Sequence, residues 1–425
     1  MAQGSMDLGE LPLEIIERVL SFLPVLALCR FRSVCKAWKE ILCRPSFHDL
    51  RDVNGVKEDY LFLMRYVTNG TTTKHGIYRL CRGRTTFLDV GAKRWYSIKT
   101  DRESCGNELD VAAVSMNDGL VCELARLPGD VGEVCVLFVV DPVANTRREL
   151  PELPTSYALW ANTVTPTIVI SVDNVARSFR VFLLVFTKQA ETEMYVYESS
   201  SGEWRGLASP PKERGLAEET SAVILHGILY VVFNTPHPNT MCSLLSYNLK
   251  ENMWRVLQDV PRCTEREGPD PRVFVRDNEL WMTRWYHPWM QEDLYVELAK
   301  ILINDDSSVK LVPIMGIPHS VIHDRLGERN LYAYLFPCTL SNGSWDPVVW
   351  MSVFSGKMIL WKCEENLMDV LPTHPVLHLK EDKAPQSDMS DEEDDCYTYY
   401  GAWYMNLSMR NILSPSRPVT IDPHT

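Results

Sequence analysis

The sequence lacks any hydrophobic run long enough to cross a membrane, and its first ten residues lack the basic and apolar segments of a secretory leader. Basic residues are outnumbered, with 43 Lys and Arg against 56 Asp and Glu and a formal net charge of -13. A phosphate-binding surface needs clustered Lys and Arg, which argues against nucleic acid as a partner. We expect a soluble intracellular protein, cytoplasmic or nuclear, that binds other proteins and neither membranes nor nucleic acids.

Catalytic and metal-binding motifs are missing as well. The 12 cysteines include no CxxC pair, and in a reducing compartment they are expected to act mainly as small buried apolar side chains. No GxSxG, GxxxxGK[ST] or HExxH motif is present. The pairs His319/His323 and His374/His378 have a spacing that binds metal on a helix, but they lie in proline-bounded sequence. The sequence therefore predicts no catalytic residue, no metal and no cofactor.

A strongly apolar helical segment is present near the start, "LPLEIIERVLSFLPVLALCRFRSVCKAWKEIL" from Leu11 to Leu42. Apolar residues recur at helical spacing up to Pro24, which ends the first helix. A second helical pattern runs from Leu28 to Leu42. A helical module of about 40 residues with no metal and no disulfide rarely folds well alone. This predicts docking into a partner's groove; the alternative is packing on the chain's own body.

The spacing of LP, IL, LP and VCKxW in this segment resembles the F-box. The resemblance implies docking onto the Skp-family adaptor of an SCF-type ubiquitin ligase, and through that adaptor onto a cullin scaffold. It implies that nine residues bind the adaptor or support the helices that do: Leu11, Pro12, Ile16, Val19, Leu20, Leu23, Val34, Cys35 and Trp38.

The pattern changes after Tyr60 to short β-rich runs bounded by turn residues, with no amphipathic helices between them. A strand, a polar turn and a Trp recur, with Trp95, Trp204, Trp254 and Trp361 predicted to begin the fourth strand of each unit and to pack between units. Six equivalent positions are separated by roughly 50 residues, a period typical of kelch propellers: Asp89, Asp141, Tyr197, Tyr247, Glu297 and Phe354. Six repeats predict six blades, and the aromatic run at Tyr397 to Leu407 is predicted to close the ring.

This half resembles the kelch domain of plant F-box/kelch proteins through "SMNDGLVCEL" and the repeated Y-x6-W, although the usual glycine doublet is missing. We therefore predict a multidomain α plus all-β chain: a small N-terminal helical F-box followed by a kelch-type, six-bladed β-propeller. The predicted boundaries are an F-box at 8–50, a linker at 51–59, a propeller at 60–410 with an acidic loop at 380–396, and a tail at 411–425.

Loops of uneven length on one propeller face are the predicted target-binding surface, because such loops vary on a rigid scaffold. Trp, Tyr and Arg are frequent hot-spot residues of protein interfaces. The candidate substrate-binding residues are Arg126, His237, Arg284, Trp285, Tyr286, Trp289 and Trp345.

The predicted function is substrate recognition for an SCF-type ligase, with the propeller recruiting an unknown protein for ubiquitination and the chain itself non-catalytic. Two alternatives are a kelch scaffold outside any ligase and a propeller enzyme or small-ligand sensor. The scaffold predicts no adaptor binding, and the enzyme or sensor predicts a polar axial pocket with convergent titratable groups.

Overall fold

A computed structural model describes these parts of the chain: residues 11–31, 34–54, 59–67, 79–80, 84–89, 93–99, 110–129, 132–141, 146–152, 166–186, 192–211, 221–234, 241–261, 271–276, 278–286, 295–304, 308–318, 320–321, 324, 333–337, 347–352, 358–362, 367–371 and 398–406. The predicted acidic loop and C-terminal tail lie outside these residues, and so do all four histidines of the two spaced pairs.

Four short helices form the N-terminal domain: α1 (Leu13–Ser21), α2 (Val25–Phe31), α3 (Lys36–Leu42) and α4 (Pro45–Val53). Proline precedes α1 and begins α4, where its missing N–H costs no helical hydrogen bond. Pro24 separates α1 from α2, as its position in the sequence predicts. The helical domain continues to Val53, and the first strand begins at Asp59.

Twenty-five strands are described after the helices. The first eight are β1 (Asp59–Val67), β2 (Arg79–Leu80), β3 (Arg84–Asp89), β4 (Arg94–Lys99), β5 (Asp110–Asn117), β6 (Leu120–Gly129), β7 (Gly132–Asp141) and β8 (Thr146–Glu149). The next eight are β9 (Thr167–Asp173), β10 (Ser178–Phe186), β11 (Thr192–Glu198), β12 (Glu203–Leu207), β13 (Ser221–Leu225), β14 (Ile228–Asn234), β15 (Met241–Asn248) and β16 (Met253–Pro261). The last nine are β17 (Arg272–Arg276), β18 (Glu279–Tyr286), β19 (Tyr295–Ile303), β20 (Val309–Pro318), β21 (Ala333–Pro337), β22 (Pro347–Ser352), β23 (Met358–Lys362), β24 (Leu367–Val370) and β25 (Thr398–Asn406).

These strands form four-stranded antiparallel blades. Strands β9 to β12, β13 to β16, β17 to β20 and β21 to β24 each make a separate four-stranded sheet. The remaining sheet has nine strands, and its short strand β2 joins one unit of β25, β1, β3 and β4 to another of β5 to β8. We number the blades 1 to 6 from the β1 unit, so that β5 to β8 form blade 2.

The inner strands form the ring of the propeller. Strand β25 lies beside β5, β5 beside β9, β9 beside β13, β13 beside β17, and β21 beside β25. Side chains join neighbouring inner strands: the Ser115 Oγ accepts the N–H of Ile170 at 3.0 Å, and the Ser221 Oγ accepts the N–H of Val273 at 3.0 Å. The predicted closure by the aromatic C-terminal run is confirmed, since β25 pairs with β1 along its whole length.

A Tyr and a Trp recur at the same places in blades 3 and 4. Tyr197 pairs with Trp204 across β11 and β12, and Tyr247 pairs with Trp254 across β15 and β16. The Trp204 Nε1 donates to the carbonyl oxygen of Pro151 at 3.0 Å, which follows blade 2. The Trp254 Nε1 likewise reaches the carbonyl oxygen of Ala208 at 2.7 Å, after blade 3, so each Trp ties its blade to the preceding one.

Two details of the predicted repeat are wrong. Trp361 lies in β23, the third strand of blade 6 rather than the fourth. Glu297 lies near the start of β19, whereas Tyr197 and Tyr247 lie near the ends of their strands. The connections between strands differ in length from blade to blade, and a fixed spacing of residues therefore loses its register there.

The helical domain lies at one end of the propeller. Val67 pairs with Arg79, and Arg79 pairs with Asp110 at the start of β5. Asp59, at the start of β1, therefore lies at the end of the propeller that carries the β5–β6 and β9–β10 turns. We call this end of the propeller the proximal end. The opposite end, with the connections between second and third strands, is the distal end.

Candidate functional site

Helix α1 carries apolar side chains on two adjacent sides. Ile16 and Leu20 are only 8% and 2% exposed, because they belong to the core of the helical domain. Ile15 and Val19, each one residue before a buried side chain, face solvent. Four large apolar side chains are 46–56% exposed: Leu13, Ile15, Val19 and Phe22. We call these four residues the α1 stripe.

The other predicted adaptor-binding residues divide in the same way. Pro12, Val34 and Cys35 are exposed, and Leu11, Leu23 and Trp38 are partly buried against the domain core. Trp38 meets Phe31 edge-on, with ring centroids 5.3 Å apart. The Cys35 Sγ accepts the backbone N–H of Trp38 at 3.5 Å and so caps α3.

Sequence reasoning named only Val19 of the α1 stripe. It omitted Leu13, Ile15 and Phe22, although Ile15, Val19 and Phe22 follow the spacing i, i+4, i+7 of one helix face. Both sides of α1 are apolar, so the sequence alone did not distinguish the side that packs inward from the side that is free. The distinction depends on where α4 lies.

Helix α4 fixes α1 from behind. The Arg51 guanidinium, which is buried, donates to the carbonyl oxygens of Ser21 and Leu23, where the end of α1 leaves carbonyls without helical partners. The Asn54 Nδ2 donates to the Ser21 Oγ at 2.6 Å. In the middle of α1, the Glu17 Oε1 accepts a hydrogen bond from the Ser46 Oγ at 3.2 Å. These bonds hold α1 so that the α1 stripe faces outward.

The predicted target-binding residues lie in strands or outside the described residues. Arg126 is in β6, and Trp285 and Tyr286 are in β18. His237, Trp289 and Trp345 lie outside the part of the chain that the structure describes. The prediction that Arg284, Trp285 and Tyr286 belong to the loop surface is therefore wrong, because β18 continues through Tyr286, which pairs with Tyr295 of β19.

Arg284 itself is held in an internal ion pair. Its Nε and Nη2 both lie 2.7 Å from the Glu297 Oε1, directly across from it in the ladder of β18 and β19. The two side chains are 15% and 5% exposed. A buried carboxylate needs a charged, hydrogen-bonded partner, so the side chain of Arg284 is engaged within blade 5.

The described cysteines differ in exposure. Cys122 and Cys242 are buried, Cys135 is partly buried, and Cys35 and Cys43 are exposed. Burial raises the pKa of the Cys122 thiol, and the nearby Glu123 carboxylate raises it further. Cys122 lies in the core between blades 2 and 3 and stays protonated there, as expected of a small apolar side chain.

Two family matches cover separate parts of the chain. The F-box domain family matches residues 8–50, which include the α1 stripe and most of α4. The family described as "F-box protein At3g26010-like, beta-propeller" matches residues 95–265, from β4 to just beyond β16. The chain combines an F-box with a β-propeller of the type found in F-box proteins.

Curated relatives of this F-box/propeller protein are plant proteins. F-box only protein 6 of Arabidopsis thaliana is 23% identical over 259 residues, which cover 59% of this chain and 48% of that protein. The F-box/kelch-repeat protein At3g61590 of Arabidopsis thaliana is 25% identical over 257 residues, with 58% and 56% covered. The alignments thus span about half the length of these two relatives.

Solved structures resemble the F-box/propeller protein only loosely. The SapL1 lectin in complex with alpha methyl fucoside gives a TM-score of 0.40 at 10% identity, covering 74% of this chain and 96% of that one. YjhT gives a TM-score of 0.38 at 11% identity, with 73% and 97% covered.

The described residues of the F-box/propeller protein include no group of three His, Cys, Asp or Glu side chains placed to hold a metal ion. None of the helices in the described ranges is long and apolar enough to span a membrane.

Proposed function

We propose that this chain is the substrate-recognition subunit of an SCF-type ubiquitin ligase. In this proposal the α1 stripe docks onto a Skp-family adaptor, which links the chain to a cullin scaffold. The observation that carries it is a row of large apolar side chains held outward on a helix whose other side is already buried. Exposed apolar patches of this kind are typical of protein interaction sites.

The free energy that the α1 stripe contributes to binding follows from the exposure of its side chains. Fully burying a Val, Leu, Ile or Phe side chain contributes roughly 1.5 to 3 kcal/mol. The α1 stripe residues are about half exposed, so each has about 1 kcal/mol left to gain on binding. An acidic residue placed in the stripe would lose that gain and also bury an unpaired charge, which costs more.

The target would bind at the distal end of the propeller. The helical domain occupies the proximal end, so the connections between second and third strands face away from it. This chain would supply no catalytic group. Its contribution is proximity, because holding the target near a ubiquitin-charged enzyme makes their encounter effectively intramolecular.

A pull-down of the full chain with purified Skp-family adaptor tests the proposal. The double variant Val19→Asp, Phe22→Asp changes only exposed positions and should reduce recovery of adaptor more than a hundredfold while the circular dichroism spectrum is unchanged. Leu20 is unsuitable for this purpose, because at 2% exposure it belongs to the domain core and its substitution would unfold the domain.

The matched control is Val175→Asp, which places the same charge in the β9–β10 turn at a residue 97% exposed. It should recover as much adaptor as the unmodified chain. If the double variant also recovers the full amount, the adaptor does not bind the α1 stripe. If no form of the chain recovers adaptor, the alternative of a scaffold outside any ligase is favoured.

A further inference from the structure

The cores of the helical domain and of blade 2 are continuous. One apolar cluster contains buried residues of the helices and of β6 and β7, and we call it the joint cluster: Ile16, Leu20, Val25, Leu28, Ile41, Leu42, Phe47, Val121, Ala125, Phe138 and Val140. Its members from β6 alternate with Leu120, Cys122 and Leu124, which belong to the core shared with blade 3. Strands β6 and β7 therefore carry buried apolar side chains on both faces, and only one of these faces belongs to the core with blade 3.

A polar contact adds a second link, to blade 3. Arg177 lies in the β9–β10 turn, and its Nη2 is 3.3 Å from the Asp49 Oδ1 of α4. The two side chains are 50% and 70% exposed, so this pair adds little energy and mainly favours one orientation. The helical domain thus meets two adjacent blades at the proximal end.

We infer that the helical domain and the propeller form one cooperative folding unit, with blade 2 supplying a wall of the F-box core. A helical module of this size buries too little surface to be stable alone. Separating it from blade 2 would expose apolar side chains on both sides of the joint cluster. The α1 stripe is therefore presented in a fixed orientation relative to the propeller, and its stability depends on blade 2.

Hydrogen exchange of the full chain, read by mass spectrometry, tests this inference without any partner. Val140→Ala and Val139→Ala remove the same two methyl groups from adjacent residues of β7. Val140 belongs to the joint cluster, whereas Val139 belongs to the core shared with blade 3. Val140→Ala should accelerate exchange in α1 and α4 at least fivefold, and Val139→Ala, which weakens only the core shared with blade 3, should accelerate exchange in these helices as well.

The inference would be overturned if Val140→Ala accelerated exchange in blade 2 but left exchange in α1 and α4 unchanged. The helices would then be stable without that wall. Equal acceleration everywhere by both variants would support it, because the helices would be opening only with the whole propeller. A charge exchange gives an independent reading. Asp49→Arg or Arg177→Asp alone should accelerate exchange in α4, and the two together should restore it.

The same exchange measurement, repeated with purified Skp-family adaptor, tests the inference and the proposed function separately. This part of the experiment rests on the proposed function. If both hold, saturating adaptor slows exchange in α1 and also in blade 2, because binding to one part of a cooperative unit stabilises all of it. Protection confined to the helices would support adaptor binding and overturn the inference. Absence of protection throughout would count against the proposed function and leave the Val140→Ala result standing.

Discussion

Blades 3 and 4 differ in one hydrogen bond that can be added by a single substitution. In blade 4 the hydroxyl of Tyr247 is hydrogen-bonded to the Asn252 Oδ1. Five residues after Tyr197, the equivalent position in blade 3 is Gly202, and within the described part of the chain the buried hydroxyl of Tyr197 has no hydrogen-bond partner. Both turn residues have positive φ, +55° at Asn252 and +76° at Gly202, and an added Cβ at Gly202 would meet no atom within 4 Å.

We therefore expect Gly202→Asn to stabilise the protein. Satisfying a buried hydroxyl is worth about 0.5 to 1.5 kcal/mol, and replacing Gly reduces the freedom of the unfolded chain by a further 0.4 to 1 kcal/mol, roughly. Asparagine tolerates the left-handed conformation better than other non-glycine residues, so part of this gain is retained. The net expectation is an increase of about 1 to 2 kcal/mol in the free energy of unfolding.

Urea unfolding, followed by tryptophan fluorescence, measures the gain. Gly202→Ala is the matched control and should destabilise, because alanine at this φ is strained and supplies no acceptor. In a Tyr197→Phe background, Gly202→Asn should lose most of its benefit, since no hydroxyl remains to be bonded. An equal gain with Tyr and with Phe at position 197 would refute the reasoning, because the effect would then come from the turn alone.

Other substitutions test the remaining interactions. Trp254→Phe should lower the free energy of unfolding by about 1 to 2 kcal/mol in urea titrations, because it removes the bond to the Ala208 carbonyl. Arg284→Met should destabilise by about 3 to 5 kcal/mol, since Glu297 then loses its guanidinium partner, and the double variant with Glu297→Leu should be more stable than Arg284→Met alone. Burial raises the pKa of Tyr230, so its contribution is complete at neutral pH and is lost above about pH 10, where the unfolded tyrosine ionises first. Urea midpoints compared at neutral and at alkaline pH should therefore fall less for Tyr230→Phe than for the unmodified chain.

Local sequence patterns predicted the strand pairs well. In blade 4 two such apolar runs, on either side of His226 and Gly227, form the hairpin of β13 and β14, and its turn consists of these two left-handed residues. The aromatic run at the C-terminus predicted β25, because an incomplete first unit requires a strand from elsewhere. These features depend on period-two patterning and turn residues, which are local.

Contacts between distant segments were not predictable in the same way. Whether Ile15 or Ile16 faces inward depends on α4 and blade 2, and a helix with apolar residues on both sides carries no mark of which side is covered. Arginine is frequent at protein interfaces, yet the side chain of Arg284 is held inside blade 5 by its ion pair with Glu297 on the neighbouring strand. The sequence predicts the elements, and the assignment of each side chain to the core or to the surface required their packing.

Closure of the ring by β25 has a consequence for biosynthesis. Asp59 pairs with Asn406, so blade 1 lacks its inner strand until β25 has left the ribosome. Blades 2 to 6 are each built from consecutive strands and can form in order, whereas β1 waits with an unpaired edge throughout. A chain that stops short of β25 would thus expose the edge of β1 that β25 covers, and an unpaired strand edge of this kind is a template for aggregation.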